Sequence, residues 1–183
     1  MTDRPYHHGD LRRAALAATV EAIEQGGAAA LSLRDVARRA GVSHAAFKHH
    51  FGAKPGLLTA LATEGFDLLA DAVTAAGGDL VEAGVAYVRF AAAHPAHFEV
   101  MFQPALYHAD DAELIGAQER AGHALGAALA ASSASATETS ELAAWSIVHG
   151  FAGLWLSGAL PDGLGDDPGN AARPVIRLLS FIP

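Results

Sequence analysis

Residues 32 to 54 carry a run of capping, small and apolar residues that predicts two short helices joined by a tight turn. Ser32 and Asp35 have the spacing of a capping box, in which each side chain satisfies a backbone N–H at the start of a helix. Gly41 offers the positive φ at which a helix commonly ends. The apolar stripe between these two points consists of Val36, Ala37 and Ala40. This first helix therefore has a predicted start, a predicted buried face and a predicted end.

A second helix is predicted to follow directly, because Ser43 can cap it and Phe47 can anchor it inward. Its outward positions hold one small and three polar residues: His44, Ala45, Lys48 and His49. A helix-turn-helix with a polar second helix is the arrangement that enters the major groove of DNA. A helical hairpin with no nucleic-acid role has the same outline, but the order of small, capping and apolar residues favours DNA binding.

Taken alone, the formal net charge of −8 argues against a nucleic-acid-binding protein, but the charge is unevenly distributed along the chain. Residues 1 to 54 hold eight Lys or Arg and five Asp or Glu, a net charge of +3. Residues 55 to 183 hold four Lys or Arg and fifteen Asp or Glu, a net charge of −11. Such asymmetry indicates a nucleic-acid-binding module joined to a different domain. We therefore predict a DNA-binding domain over residues 1 to 54 and a ligand-binding and dimerisation domain over residues 55 to 183.

Apolar residues at helical spacing dominate the rest of the chain, and alternating β-branched runs are missing. Beyond the two helices of the helix-turn-helix, a short helix is predicted to begin at Pro95, and six others over about residues 10–25, 55–76, 79–93, 110–131, 136–159 and 171–182. The predicted fold class is all-α, with about nine helices. A three-helix helix-turn-helix domain comes first, and a C-terminal helical bundle follows it.

The helix predicted over residues 136–159 is apolar on every side from Leu142 to Leu160. A helix of this kind that is too short to span a membrane must be buried on both faces. Three glycines would allow another helix to approach it closely: Gly150, Gly153 and Gly158. The short helix over residues 171–182 is marginal alone and also needs a surface to pack on. We predict a homodimer formed through these two helices.

Several classes of protein are disfavoured by what the sequence lacks. No run approaches the ~20 consecutive apolar residues of a membrane span, and the N-terminal residues have no apolar core of a secretory signal. The chain contains no cysteine, which removes disulfides, thiolate metal sites and a cysteine nucleophile. Catalytic and phosphate-binding motifs are missing as well. We expect a cytoplasmic protein with no membrane association, no enzymatic activity and no cofactor.

A second class of function depends on three histidines in the middle of the chain. His94 and His97 share a helical face, and His108 lies near enough in sequence to complete a metal-binding trio. The alternative function is therefore a helical metal-binding protein or enzyme that uses His94, His97 and His108. Histidines at helix ends are more commonly solvated, which favours the DNA-binding interpretation.

Large apolar side chains in the predicted bundle could line a cavity for a small molecule. The candidate ligand-binding residues are Phe66, Tyr87, Phe90, Phe98, Met101, Phe102, Trp145 and His149. A completely filled core would use the same residues. His149 lies one turn beyond Trp145, and it either orients a ligand or serves a purely structural role. Polar groups are few in this set, so the predicted ligand is apolar or aromatic.

Over residues 6 to 58 the sequence resembles the TetR family of transcriptional regulators. The motifs that carry the resemblance are Leu33-Arg-Asp-Val-Ala, Ala40-Gly-Val-Ser, His49-His-Phe and Lys54-Pro-Gly-Leu-Leu, in that order. The segment Trp145-Ser-Ile-Val-His-Gly is similar to a Trp-x-x-x-His-Gly signature of one subgroup. The chain departs from the family at Lys48, where a tyrosine that contacts phosphate is usual. Lysine can also contact phosphate, with less geometric definition.

The resemblance implies a homodimer joined by its last two helices, with a ligand pocket that changes the spacing of two DNA-binding heads. It implies a recognition helix over residues 43–50 and a phosphate contact from Lys54. The candidate DNA-binding residues are Arg4, Ser43, His44, Ala45, Lys48, His49 and Lys54. The predicted function is a ligand-responsive DNA-binding transcriptional regulator. We expect a repressor that a small apolar or aromatic molecule releases from a palindromic operator.

Overall fold

The computed structural model describes residues 8–132 and 137–178, and that part of the chain contains helices and no strand. Its nine α-helices are α1 (His8–Gly26), α2 (Leu33–Arg39), α3 (His44–Phe51), α4 (Lys54–Ala75), α5 (Leu80–Ala93), α6 (Pro95–Met101), α7 (Ala112–Ser132), α8 (Glu138–Leu156) and α9 (Pro168–Ile176). A 3-10 turn, Pro104–Leu106, lies between α6 and α7. The predicted all-α fold with about nine helices is confirmed.

The chain divides into two compact units, and each unit is built from two separate stretches of sequence. The first unit consists of Met1–Thr63 and Ala96–Leu114, so it contains the helix-turn-helix, the start of α4 and the whole of α6 except Pro95. The second unit consists of Glu64–Pro95 and Ile115–Pro183. These units describe how the chain packs and not what each part does. The functional boundary that the charge distribution suggested after residue 54 therefore stays a prediction.

Within the first unit, the turn between α2 and α3 forms as the sequence predicts. Gly41 has a φ of 69°, and the N–H of Val42 donates to the carbonyl of Ala37 over 3.0 Å. The hydroxyl of Ser43 accepts from the N–H of Ala46 over 3.1 Å and so caps α3. Phe47 is completely buried beneath α3. The apolar anchor and the cap together fix the direction in which α3 leaves the turn.

The capping box predicted at the start of α2 was wrong in its hydrogen bonds. Ser32 does occupy the N-cap position, but its side chain makes no cap hydrogen bond. The carboxylate of Asp35 accepts instead from Arg38 over 2.5 Å and from Arg39 over 2.7 Å. Two guanidinium groups within one turn offer charge-assisted hydrogen bonds, which are stronger than a bond to a neutral backbone N–H.

The second unit is organised around α5, which packs against α8 and α9. Gly84 permits this packing, because a Cβ at that position would lie 2.9 Å from Cγ2 of Ile176 and 3.2 Å from Cγ1 of Val148. Tyr87 and Val88 are buried one turn further along α5. The core of this unit therefore lies where α5, α8 and α9 meet.

Helix α9 begins three residues earlier than the sequence suggested. It starts at Pro168, and the side chain of Asp167 accepts from the N–H of Asn170 over 2.6 Å. An aspartate cap followed by proline in the first turn is a favourable helix start, which the Pro/Gly/Asp-rich composition of the preceding loop concealed. The last residues of the predicted helix, 179–182, lie outside the described residues.

Two ion pairs connect α9 to α5 within the second unit. Arg89 donates to Asp167 over 3.0 Å, and Arg173 donates to both carboxylate oxygens of Glu82. The guanidinium groups lower the pKa values of Asp167 and Glu82, since opposite charge favours the ionised carboxylate. Among the residues that are described, no helix is long and apolar enough to cross a membrane.

Candidate DNA-binding and effector sites

Helix α3 has one buried side and one exposed polar side. Phe47 and Phe51 point inward, with ring centroids 4.9 Å apart. The residues predicted to face DNA are all exposed: His44, Ala45, Lys48 and His49. The adjacent His50 is exposed too, and its ring meets the edge of Phe51 at a centroid distance of 4.6 Å. A buried apolar anchor therefore holds a short helix whose exposed side offers imidazole and ammonium groups.

Lys54 lies at the start of α4, where its ammonium group already has an intramolecular acceptor. Its Nζ donates to the carbonyl of Ala29 over 2.9 Å. An ammonium group has three N–H donors, so this bond leaves capacity for a phosphate oxygen. The predicted phosphate contact of Lys54 stays a prediction, as do the roles of Ser43 and of the exposed α3 residues. Arg4 lies outside the described residues.

The turn between α1 and α2 is held from a second direction by α6. The N–H of Ala28 donates to Oε1 of Glu99 over 2.8 Å. Together with the bond from Lys54 to Ala29, this contact fixes the backbone that leads into the helix-turn-helix. Sequence analysis did not predict this role of Glu99, because Ala28 lies 71 residues away in the chain.

A groove of about 510 Å³ runs between α2 and α3 on the first unit. Its lining residues are Ser32, Arg34, Asp35, Ala37, Arg38, Val42 and His44. Sequence analysis identified His44 but missed Arg34 and Arg38. The sequence does contain evidence for both arginines, since residues four apart on a helix share a face and both arginines belong to the basic N-terminal segment.

Two family models match this chain, each over most of one predicted domain. Residues 15–61 match a model described as bacterial regulatory proteins of the tetR family, which contains the helix-turn-helix. Residues 80–179, more than half of the chain, match a model described as the tetracyclin repressor-like C-terminal domain. This chain belongs to the TetR family. As a TetR-family protein it is a DNA-binding transcriptional regulator, and the family's regulators respond to small ligands.

Solved structures with the same fold cover nearly the whole chain. One is a protein of unknown function from Rhodococcus sp. RHA1, with 30% identity, a TM-score of 0.75 and 98% coverage of both chains. The TetR-family regulator PfmR from Thermus thermophilus has 22% identity and a TM-score of 0.69, with 91% of this chain and 97% of that one covered. The multidrug binding protein EbrR, solved with imidazole, has 22% identity and a TM-score of 0.64, with 100% and 99% covered. No curated protein matches the chain.

The alternative based on three histidines gains no support. His97 is buried in α6, whereas His108 is exposed in the same unit and His94 belongs to the second unit. Among the described residues, no group of three His, Asp or Glu side chains could hold a metal ion.

In the second unit of this TetR-family chain, three candidate effector residues form one hydrogen-bonded network. Trp145 donates its indole N–H to the hydroxyl of Tyr87 over 3.3 Å. The same hydroxyl lies 3.0 Å from Nδ1 of His149. An indole nitrogen can only donate, so the tyrosine oxygen accepts from Trp145, and the tautomer of His149 sets which of the hydroxyl and Nδ1 donates to the other.

Burial favours the neutral forms of the two titratable members of this network. Loss of hydration lowers the pKa of His149 and raises the pKa of Tyr87. A neutral imidazole can form the bond to Tyr87 in either tautomer, because Nδ1 can accept from the hydroxyl or donate to it. The network is therefore uncharged at neutral pH and suits an apolar or aromatic neighbour better than an ionic one.

The eight candidate effector residues are divided between the two units. Phe66 and Phe90 are buried in the second unit, which also contains the Tyr87 network. Phe98, Met101 and Phe102 belong to the first unit, where the rings of Phe98 and Phe102 pack edge to face at 5.1 Å. The structure brings Tyr87, Trp145 and His149 together directly. A single cavity lined by all eight residues stays a prediction.

The second unit also presents large apolar side chains on the outer side of α8 and α9. On α8 the exposed fractions are 58% for Leu142 and 47% for Leu154, and Leu178 just after α9 is 60% exposed. A Cβ added at Gly150 or Gly153 would meet nothing within 4 Å. Several large apolar side chains exposed on two neighbouring helices are typical of an interaction site.

Proposed function

We propose that this chain is a repressor that binds a palindromic operator as a homodimer and is released by a small apolar or aromatic molecule. The observation that carries the proposal is the occurrence, on one chain, of an exposed recognition face on α3 and an exposed apolar face on α8 and α9. The first face suits DNA, and the second suits a protein partner. A two-fold dimer would use both faces and would match a palindromic site.

The proposed DNA contacts follow from position on the helix. His44 and Ala45 begin α3, and residues at the start of a recognition helix reach base edges in the major groove. Lys48 and His49 lie one turn further on and suit the phosphate backbone, as does Lys54 at the start of α4. The side-chain oxygen of Ser43 accepts the hydrogen bond that caps α3. We therefore propose that Ser43 positions this helix, and that its hydroxyl proton can be donated to DNA. Arg4 is proposed to contact the phosphate backbone of DNA.

The proposed dimer interface consists of α8 and the end of α9. Leu142 and Leu154 would be removed from water on association, and burial of apolar surface contributes about 25 cal/mol per Å². Gly150 and Gly153 would allow the two copies of α8 to approach closely. Two heads held about 34–36 Å apart, or a multiple of that distance, would fit successive major grooves on one side of the duplex.

The proposed effector is apolar or aromatic and binds near the Tyr87 network. This proposal is supported by the uncharged state of the network and by the buried aromatic residues Phe66 and Phe90 in the same unit. The similar structure of a multidrug binding protein contains imidazole, and it supports a small cyclic molecule as a class of effector. Effector and DNA would then oppose each other reciprocally, with a coupling of about 1–3 kcal/mol.

The dimer is tested by light scattering on a pair of matched variants. Leu154→Glu places a charge on the proposed interface, and Leu164→Glu places one on a loop residue of similar exposure, 47% against 41%. We expect wild type and Leu164→Glu to have the mass of two chains and Leu154→Glu to have the mass of one. A wild-type monomer at micromolar concentration would contradict the proposal, and equal masses for the two variants would remove Leu154 from the interface.

A further inference from the structure

A second groove on the first unit, with a volume of about 250 Å³, is used by neither the proposed DNA contacts nor the Tyr87 network. Its walls come from α1, the end of α3, the first half of α4 and residues 108–113. This volume is below the ~300–1,000 Å³ of pockets that hold drug-sized ligands, so the groove suits a small molecule. The polar side chains that line it include Arg12, His50, Thr59, His108, Asp111 and Glu113.

The walls of this groove are held in place by contacts that the protein makes within itself. The N–H of His108 donates to Oγ1 of Thr59 over 3.0 Å, and the same hydroxyl donates to the carbonyl of Pro55 over 2.8 Å. A Cβ at Gly56 would overlap the carbonyl oxygen of Phe51, so the end of α3 lies directly against the start of α4. The groove is therefore formed before any ligand enters it.

The charged side chains of the groove keep the capacity to bind a ligand. Nη1 of Arg12 lies 3.8 Å from Oε2 of Glu113, beyond the ~2.7–2.9 Å of a direct charge-assisted hydrogen bond. Oδ1 of Asp111 accepts from the N–H groups of Glu113 and Leu114 over 3.0 and 3.1 Å, whereas its Oδ2 has no hydrogen-bond partner within the described ranges. One guanidinium group and two carboxylate groups therefore line one small space without direct hydrogen bonds to one another.

The presence of both signs of charge limits the class of ligand. Arg12 carries one positive charge, and Asp111 and Glu113 carry two negative charges. The carboxylates would repel a simple anion, and the guanidinium group would repel a simple cation. A zwitterion meets an opposite charge at each end, because a guanidinium group binds a carboxylate through paired N–H donors and an ammonium group offers three donors to carboxylate oxygens. Among the residues that the structure describes, no set of His, Asp and Glu side chains could hold a metal ion.

We propose that this groove binds a small zwitterion of the α-amino acid class, with the ligand carboxylate on Arg12 and the ligand ammonium group on Asp111 and Glu113. The site is separate from the proposed effector site, because the Tyr87 network belongs to the second unit. His50 and Phe51 of α3 also line the groove, so a bound amino acid contacts the last turn of the recognition helix. The first unit then has a small-molecule site of its own.

The test is titration calorimetry of the full chain with free L-amino acids that have uncharged side chains, each added separately. We expect at least one of them to bind with one molecule per chain. The amino acid that binds most tightly is then compared with its C-terminal amide, which lacks the carboxylate, and with its N-acetyl form, which lacks the ammonium group. Each derivative should bind at least about tenfold more weakly, because it leaves a charged partner in the groove unmatched.

Two pairs of matched variants locate the site. Arg12→Gln should weaken binding of the amino acid by at least about tenfold and leave the affinity for the amide unchanged, because the amide has no carboxylate to lose. Glu113→Gln should weaken binding of the amino acid more than that of the N-acetyl form. The controls are Arg13→Gln, the neighbouring exposed arginine on α1, and Glu119→Gln, an exposed glutamate further along α7. Both controls should bind as wild type does.

Three results would overturn the proposed site. The first is that no amino acid binds wild type at millimolar concentration. The second is that the amide and the N-acetyl form bind as tightly as the amino acid itself, which would exclude recognition of a zwitterion. The third is that Arg12→Gln and Glu113→Gln bind the amino acid as the two controls do, which would place the ligand elsewhere. None of these results affects the proposed DNA-binding face, because the measurement contains no DNA.

Discussion

The hydroxyl of Tyr87, completely buried on α5, lies 3.0 Å from Nδ1 of His149 on α8. The same hydroxyl accepts the indole N–H of Trp145. These residues are therefore bonded to one another within the second unit, from the buried Tyr87 out to Trp145, which is 41% exposed. An effector that takes the Trp145 N–H or Nδ1 of His149 as its partner must replace a bond that the protein already makes. This exchange is a means by which effector binding could move α8 relative to α5.

Tyr87→Phe should destabilise the protein by about 1–3 kcal/mol, because it leaves two polar groups without the hydroxyl that they share. Tyr107→Phe is the matched control, since its hydroxyl makes a single bond, to the carbonyl of Met101 over 2.9 Å. The free energy of unfolding of that variant should fall by only about 0.5–1.5 kcal/mol. Urea unfolding measures both. If Tyr87→Phe lowers the free energy of unfolding by no more than Tyr107→Phe does, the network is not formed in solution.

Stability should depend on pH through His149. Burial lowers the pKa of its imidazole in the folded protein, so the folded state binds fewer protons than the unfolded state. This contribution to the free energy of unfolding is fully present above the unfolded pKa of about 6.5 and is lost as pH falls through the folded value. Unfolding measured at several pH values should show the loss in wild type and in His123→Gln, and His149→Gln should reduce it. An unchanged profile in His149→Gln would assign the pH dependence to other groups.

Gly84→Ala should destabilise the second unit by about 1–3 kcal/mol, the usual cost of overpacking a core. The new methyl group would lie 2.9 Å from Ile176 and 3.2 Å from Val148. Gly122→Ala is the matched control on α7, where an added Cβ meets nothing within 4 Å. It should stabilise the protein by up to about 1 kcal/mol, because alanine is the better helix former. Thermal unfolding of the two variants should shift in opposite directions, and equal shifts would contradict the close approach of α5 to α8 and α9.

Mutations should distinguish the proposed phosphate contact from the proposed base contacts. Lys54→Ala should weaken binding to all duplexes alike and reduce the slope against log salt by about one, as loss of a phosphate contact does. His44→Ala or Ala45→Ser should instead change the ranking of duplex sequences, because these positions are proposed to reach base edges. Affinities for a set of single-base operator variants measure both effects. An unchanged ranking in both α3 variants would remove them from the recognition face.

The helix-turn-helix was predictable from sequence because its determinants are local. Gly41 and Ser43 each act within one turn of their own position, and both do what their residue types suggest. The capping box was mispredicted at Asp35 because Arg38 and Arg39, which follow it within one turn, donate to its carboxylate in place of a backbone N–H.

Contacts between distant segments were beyond the reach of sequence patterns. Tyr87 and Trp145 are 58 residues apart, and the bond of Glu99 to Ala28 spans 71. Helical periodicity identifies which residues face inward, but not which helix they meet there. For the same reason, the grouping of Ala96–Leu114 with the helix-turn-helix was not apparent from the order of the helices.

The central claim is that two copies of this chain present α3 to the two halves of one DNA site, and selection of bound duplexes from a random library tests it most directly. We predict enrichment of an inverted repeat whose half-site centres are separated by about one helical turn or a multiple of it. Two chains should bind each selected duplex, and inversion of one half-site should abolish binding. Enrichment of a single half-site, or of no sequence at all, would contradict the account.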